Sequence, residues 1–196
     1  EPTDAWPLQR GFDHFYGTII GAGSFYNPNT LTRGNDNIEH EAENDPSFFY
    51  TDAISDQAVA YIRQHKTDHP DAPFFQYVAY TAPHWPLHAH DEDIAKYKGR
   101  FDAGWDALRA ARLDKLVDWG ILDAAWKLTD RDPAQPPWTE AAHKAWLARC
   151  MEVYAAQIDR MDQGIGRIVA ALENAGQLDN TVIIFLSDNG ACAEDI

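Results

Sequence analysis

The sequence predicts an α/β layered fold with a mostly parallel sheet flanked by helices, and three observations predict it. Two short, strongly apolar runs, at 74–80 (FFQYVAY) and 181–186 (TVIIFL), are bounded by turn-forming residues, as buried strands are. Helical periodicity marks 51–65 and 151–172. Extended and helical segments therefore alternate along the chain, the arrangement in which helices cross between parallel strands. In such sheets ligands gather beyond the carboxyl ends of the strands. TAPHWP after the first run and SDNG after the second meet that condition.

The elements follow in order. Gly, Asn, Thr and aromatic residues crowd 11–37, which predicts turns with short extended pieces. In 51–65, Ile54, Ala58, Tyr61, Ile62 and His65 share one helical face, with Thr51 or Asp52 available as the cap. The stretch DHPDAP breaks that helix, and the run 74–80 follows as a strand. Residues 91–149 are helical and hold Trp105, Trp119, Trp126, Trp138 and Trp146. Phe101, Trp105, Leu108, Leu113, Leu116 and Val117 fall within half of a helical wheel there, and Gly120 is the expected stop. RDPAQPPW interrupts the region. Met151, Tyr154, Ile158, Met161, Ile165, Ile168 and Leu172 then form one stripe, at spacings alternating three and four. Gly164 and Gly166 lie inside this helix at a cost of about 1 kcal/mol each relative to Ala, so a close approach by another element is expected to require them. Gly176 ends the helix and LDN turns the chain into the last strand.

Composition bounds the function. The 196 residues are 45% hydrophobic and 24% charged, which suits a soluble globular chain with one sizeable core or two small ones. No run approaches the ~18 apolar residues of a membrane span, and EPTDAWPLQR has no signal-peptide character. The net charge of -15, from 31 acidic and 16 basic residues, argues against a nucleic-acid or anionic-membrane surface. Acids also serve as ligands for hard cations, a use that needs particular carboxylates at a pocket. Cys150 and Cys192 show neither CxxC nor zinc-ligand spacing and are expected to be free thiols.

At the second strand tip, Asp188 and Asn189 place a carboxylate and an amide oxygen on adjacent residues, and Gly190 lets the backbone turn. Two readings stand: an ordinary strand-to-turn sequence, or two hard oxygen ligands for Ca²⁺ or Mg²⁺. At the first tip, His84 is flanked by prolines in APHWP, which restrict the backbone around the imidazole. It reads either as a loop histidine beside a packing Trp85 or as a general acid or anion contact. His88 and His90 have no third ligand in register and are expected to be solvated. His65 and His69 have i,i+4 spacing, but Pro70 marks a helix end there.

In sequence, RGFDHFYG, TDAISDQAVAYI, PFFQYVAYTAPHWPLHA, YKGRFDAGWDALR, MEVYAAQIDRMDQGIGRIV and LDNTVIIFLSDNGA resemble the bacterial arylsulfatases of the formylglycine-dependent sulfatase family over nearly the whole chain. The resemblance implies an alkaline-phosphatase-like α/β fold and calcium-dependent hydrolysis of sulfate monoesters, with a small-molecule or carbohydrate sulfate ester as substrate. It implies that Asp188 and Asn189 supply two ligands of one Ca²⁺, and that His84 contacts the ester near its leaving oxygen. It also implies a periplasmic or secreted location.

Several family parts do not occur in the sequence. Neither Cys150 in CMEVY nor Cys192 in CAEDI fits CxPxR, the site of the formylglycine nucleophile. The paired aspartates that complete the calcium site, the GKWHxG segment and a lysine beyond SDNG are also missing. Residues 1–196 are thus expected to be part of one sulfatase catalytic domain, with 91–149 a Trp-rich helical insertion in it. The nucleophile segment, the C-terminal part and the remaining calcium ligands would lie outside the chain, which alone should be inactive. Two alternatives remain: a phosphodiesterase or phosphonate hydrolase of the same superfamily, and a non-catalytic sulfatase-like binding protein. The first usually carries Asp-His where this chain has Asp188-Asn189, and imidazole favours zinc or manganese where an amide oxygen favours calcium. Trp85, Trp105 and Trp119 either wall a leaving group or serve packing.

Overall fold

The computed structural model describes residues 3–21 and 23–190. They divide into two units, one built from the described residues up to His88 and from Gln157 onward, the other from 89–156.

In the first unit, the Gly- and Asn-rich entry folds into three short strands, β1 (Tyr16–Thr18), β2 (Leu31–Arg33) and β3 (Asp36–Asn37), as its composition predicts. They form an antiparallel sheet in the order β1-β2-β3. Gly34, at φ +62°, makes the turn between β2 and β3. A short helix α1 (Glu39–Glu43) and the long α2 (Tyr50–Asp68) follow. Leu31, Ile38, Ala42, Tyr50 and Ile54 bury one core cluster, against which Tyr16, Phe48, Val78 and Tyr80 pack.

Helix α2 buries Ile54, Ala58 and Ile62, together with Tyr50, Thr51, Ser55 and Val59. Its start differs from the expectation. The helix begins one residue before Thr51, and neither Thr51 nor Asp52 caps it. Asp52 instead receives Arg160 through Nη2 at 2.6 Å and Nε at 2.9 Å, with Arg167 at 3.3 Å. A guanidinium offers a carboxylate two bonds where a backbone N–H offers one, which accounts for the choice.

The parallel sheet is not assigned among the described residues. Segments 74–80 and 181–187 carry no regular secondary structure and belong to no ladder, since no described strand pairs with their backbones. Segment 74–80 still keeps a strand's period of two. Gln76, Val78 and Tyr80 turn inward and Gln76 Nε2 donates to the Ala58 carbonyl at 3.1 Å, while Phe75 is 78% exposed. In 182–186 every apolar side chain is exposed, Val182 to 87%.

The stripe at 151–172 lies in one continuous helix, α5 (Lys144–Asn174). Its buried register is offset from the apolar one. Ala156, Gln157, Gly164, Ala171 and Leu172 are buried, whereas Tyr154 and Ile158 are 41% and 38% exposed. Small residues face inward because α2 lies close. A Cβ on Gly164 would meet Ser55 Oγ at 2.1 Å and the Tyr80 hydroxyl at 3.0 Å, whereas one on Gly166 would meet nothing within 4 Å. Gly166 therefore does not answer to a close approach. The two glycines should respond oppositely to alanine. Gly164→Ala should lower stability by about 1–3 kcal/mol through overpacking, and Gly166→Ala should raise it by up to about 1 kcal/mol through helix propensity, as read by thermal unfolding. Gly176, at φ +66°, closes the helix, and Gln177 N–H returns to the Leu172 carbonyl at 2.9 Å.

The second unit contains α3 (Asp91–Ala95), α4 (Gly104–Asp118) and the opening turns of α5. Gly120, at φ +69°, stops α4 as the sequence predicts. Trp105 and Trp138 pack edge to face with ring centroids 4.8 Å apart, and a Cβ on Gly104 would strike the Trp138 ring. Trp138 N–H donates to Asp106 Oδ2 at 2.7 Å, which with the nearby Arg131 holds that carboxyl below the usual carboxylate range. Trp105 is thus a packing residue here. Among the described residues, no helix is long and apolar enough to cross a membrane.

Candidate functional site

The chain leaves the core at Tyr80 and turns at once. The Tyr80 hydroxyl lies 2.8 Å from Ser55 Oγ, and Ala82 is buried with Phe25 and Phe49 against Met161. The peptide bonds before Pro83 and Pro86 are both cis. Between them His84 is exposed, with its backbone N–H on the Thr81 carbonyl at 2.9 Å. Its ring Nδ1 lies 2.7 Å from the Trp85 carbonyl oxygen. A carbonyl only accepts, so Nδ1 carries the hydrogen and Nε2 is left as the nitrogen that can gain or lose a proton. The Trp85 ring leans against the imidazole, with centroids 5.1 Å apart.

The same helix face supports the whole tip. Going backward along α5, Gly164 meets Tyr80, Met161 meets the cluster around Ala82, and Gln157 Nε2 donates to the His84 carbonyl at 3.3 Å. Their spacing of three and four places them one above another on the helix. Gln157 was not legible as a site residue, because it lies off the apolar stripe. Its only signal is a polar side chain in line with Met161 and Gly164.

His88 is not the solvated residue expected. It is half-buried, its ring contacts Phe25 and Tyr26, and its Nδ1 accepts the Phe25 N–H at 3.3 Å. Burial pushes its pKa down, in keeping with an unprotonated Nδ1. The aromatic pair beneath it, which the local sequence does not reveal, is the reason. His65 and His69 close α2, and His65 Nε2 donates to the Ala72 carbonyl at 2.9 Å. That bond is a helix-end contact.

Asp188 and Asn189 lie in a bend just after 181–187, and both are exposed. Among the described residues, no hydrogen bond or ion pair joins them to His84, and no three His, Cys, Asp or Glu side chains gather as a metal cluster. As a donor set they suit a hard cation, one offering a carboxylate and the other an amide oxygen. Cys150 is a free thiol whose pKa is raised by burial, and Cys192 lies outside the described residues.

Comparison with known proteins places these tips in a family context. The family model described as Sulfatase matches residues 2–195. An uncharacterized sulfatase of Schizosaccharomyces pombe is 34% identical over 96% of this chain and 36% of its own length. An arylsulfatase of Klebsiella aerogenes is 32% identical over 95% of this chain and 41% of its own. The human N-sulphoglucosamine sulphohydrolase is 32% identical over 66% of this chain and 23% of its own. The chain thus spans about two fifths or less of the length of these relatives. A family match running from residue 2 to residue 195 takes in both His84 and the Asp188-Asn189 pair, and the chain belongs to the sulfatase family.

Proposed function

We propose that the full-length protein hydrolyses sulfate monoesters, with His84 as the acid that protonates the leaving oxygen. The observation that carries this is the Nδ1–carbonyl bond of His84, which fixes the tautomer and leaves Nε2 on an exposed ring. A sulfate monoester leaves as an alkoxide or phenoxide unless it is protonated, so a proton held at Nε2 lowers the barrier to S–O cleavage. The backbone on both sides of His84 is tied down, which limits the search for productive geometry.

Asp188 and Asn189 would hold one calcium ion, the remaining ligands coming from polypeptide beyond these residues. Bound there, the ion neutralises charge on the peripheral sulfate oxygens as a Lewis acid. A cation at the site also reconciles an anionic substrate with a net charge of -15. Asn189 favours this reading over phosphodiester chemistry, because an amide oxygen suits calcium and imidazole suits zinc or manganese. The attacking oxygen must also come from beyond these residues, since no cysteine or serine here stands in CxPxR. The family's formylglycine would supply it, and the 196 residues alone should not turn over.

Segments 74–80 and 181–186 are read as strands of a parallel sheet completed by further polypeptide. The one-sided burial of 74–80 and the exposed apolar faces of both support this. The separate unit at 89–156 supports reading 91–149 as an insertion in the catalytic domain. The name of the Klebsiella aerogenes relative points to an aryl sulfate as the substrate, and that of the human relative, which acts on an N-sulphated sugar, widens the reading to sulfated carbohydrates.

The reading is tested by assaying the full-length protein on matched aryl sulfate and aryl phosphate esters, with and without a calcium chelator. Turnover of the sulfate that the chelator removes and added calcium restores is expected. Preference for the phosphate ester, or activity indifferent to calcium, would contradict it.

A further inference from the structure

We propose that Gln157 is a positioning residue for His84, an inference that rests on the reading of His84 as the leaving-group acid. Gln157 is 1% exposed, and its Nε2 reaches the His84 carbonyl at 3.3 Å, the long end of the hydrogen-bond range. Among the described residues its Oε1, also buried, has no hydrogen-bond partner. Burying an amide whose oxygen has no partner costs stability relative to an apolar side chain of the same shape. Packing alone therefore does not account for a glutamine at this place. What the amide adds is one directed bond to the backbone of the residue that carries the chemistry.

The surroundings give that bond leverage. His84 is held at three atoms: its N–H by Thr81, its ring Nδ1 by Trp85, and its carbonyl by Gln157. Thr81 and Trp85 belong to the same short loop and move with it. Gln157 alone of the three belongs to α5, whose next two turns pin Ala82 through Met161 and Tyr80 through Gly164. Removing the amide frees the exposed end of the tip while the buried end stays in place. The orientation of Nε2 toward the ester should then loosen without loss of the fold.

The test uses the full-length protein and a double-mutant cycle. Gln157→Met and Gln157→Leu fill the same space without the donor, and each is combined with His84→Ala. Expected in each single Gln157 variant are a melting temperature equal to or above the parent's, an unchanged KM for an aryl sulfate and a kcat lowered about tenfold. In the His84→Ala background the same substitutions should cost no further rate, because the group they orient is gone. A purely structural glutamine would instead lower the melting temperature and act equally in both backgrounds, and that result overturns the proposal. Full kcat in the Gln157 variants alongside a large loss in His84→Ala overturns the positioning role alone. Full kcat in His84→Ala overturns both the acid assignment and the positioning role.

Discussion

His84→Ala in the full-length protein is expected to lower kcat for an aryl sulfate by at least about 100-fold, the scale of general acid catalysis at a leaving group. KM should change little, since the imidazole acts on an oxygen whose charge develops as the bond breaks. Stability should be nearly unaffected. The side chain is exposed, its ring hydrogen bond is to the neighbouring Trp85 carbonyl, and substitutions at such places usually stay within about 0.5 kcal/mol. Steady-state kinetics with thermal unfolding on the same preparation separates the two effects. A fall in rate accompanied by a fall in melting temperature would mean that the ring supports the fold.

Asp188→Ala should be at least as damaging, by a different route. The carboxylate is the one anionic group of the Asp188-Asn189 pair, so its removal leaves the amide oxygen as the pair's only contribution to the cation. Calcium affinity should fall at least about 100-fold, beyond what losing an outer-shell partner costs a metal site. Titration calorimetry reads this without any turnover. Activity should fall in parallel and return in part at high calcium concentration, which His84→Ala would not do. Because Asp188 is exposed and lies in a bend, its loss should leave the melting temperature of the calcium-free protein unchanged. Unaltered calcium binding would remove Asp188 from the metal site.

The sequence made the helices easy to find and their inward faces hard. Helices α2 and α5 both stand where periodicity puts them, but α5 turns Gly164, Ala156 and Gln157 inward and leaves Tyr154 and Ile158 half in water. Counting apolar side chains favours the large ones, while the close crossing with Ser55 and Tyr80 demands small ones. The antiparallel β1-β2-β3 sheet was invisible as such, because strands of two or three residues cannot display an alternation. At 74–80 and 181–186 strand character is plain in the residues, but a sheet needs a partner for each backbone, and among the described residues no strand pairs with either. His84 and the Asp188-Asn189 pair stand out in the sequence as candidates because unusual residues close those runs. Gln157 and His88 were not, because what they touch, the His84 carbonyl and the Phe25 N–H, lies 73 and 63 residues away.

Proton donation by His84 is tested most directly by comparing the wild type with His84→Ala over a series of aryl sulfates whose parent phenols rise in pKa. The more basic the leaving oxygen, the more it depends on receiving a proton during cleavage. The variant should therefore lose least on nitrophenyl esters and progressively more on esters of weakly acidic phenols, giving a steeper dependence of log kcat on leaving-group pKa. A loss of the same size across the whole series would contradict a role for His84 as the acid.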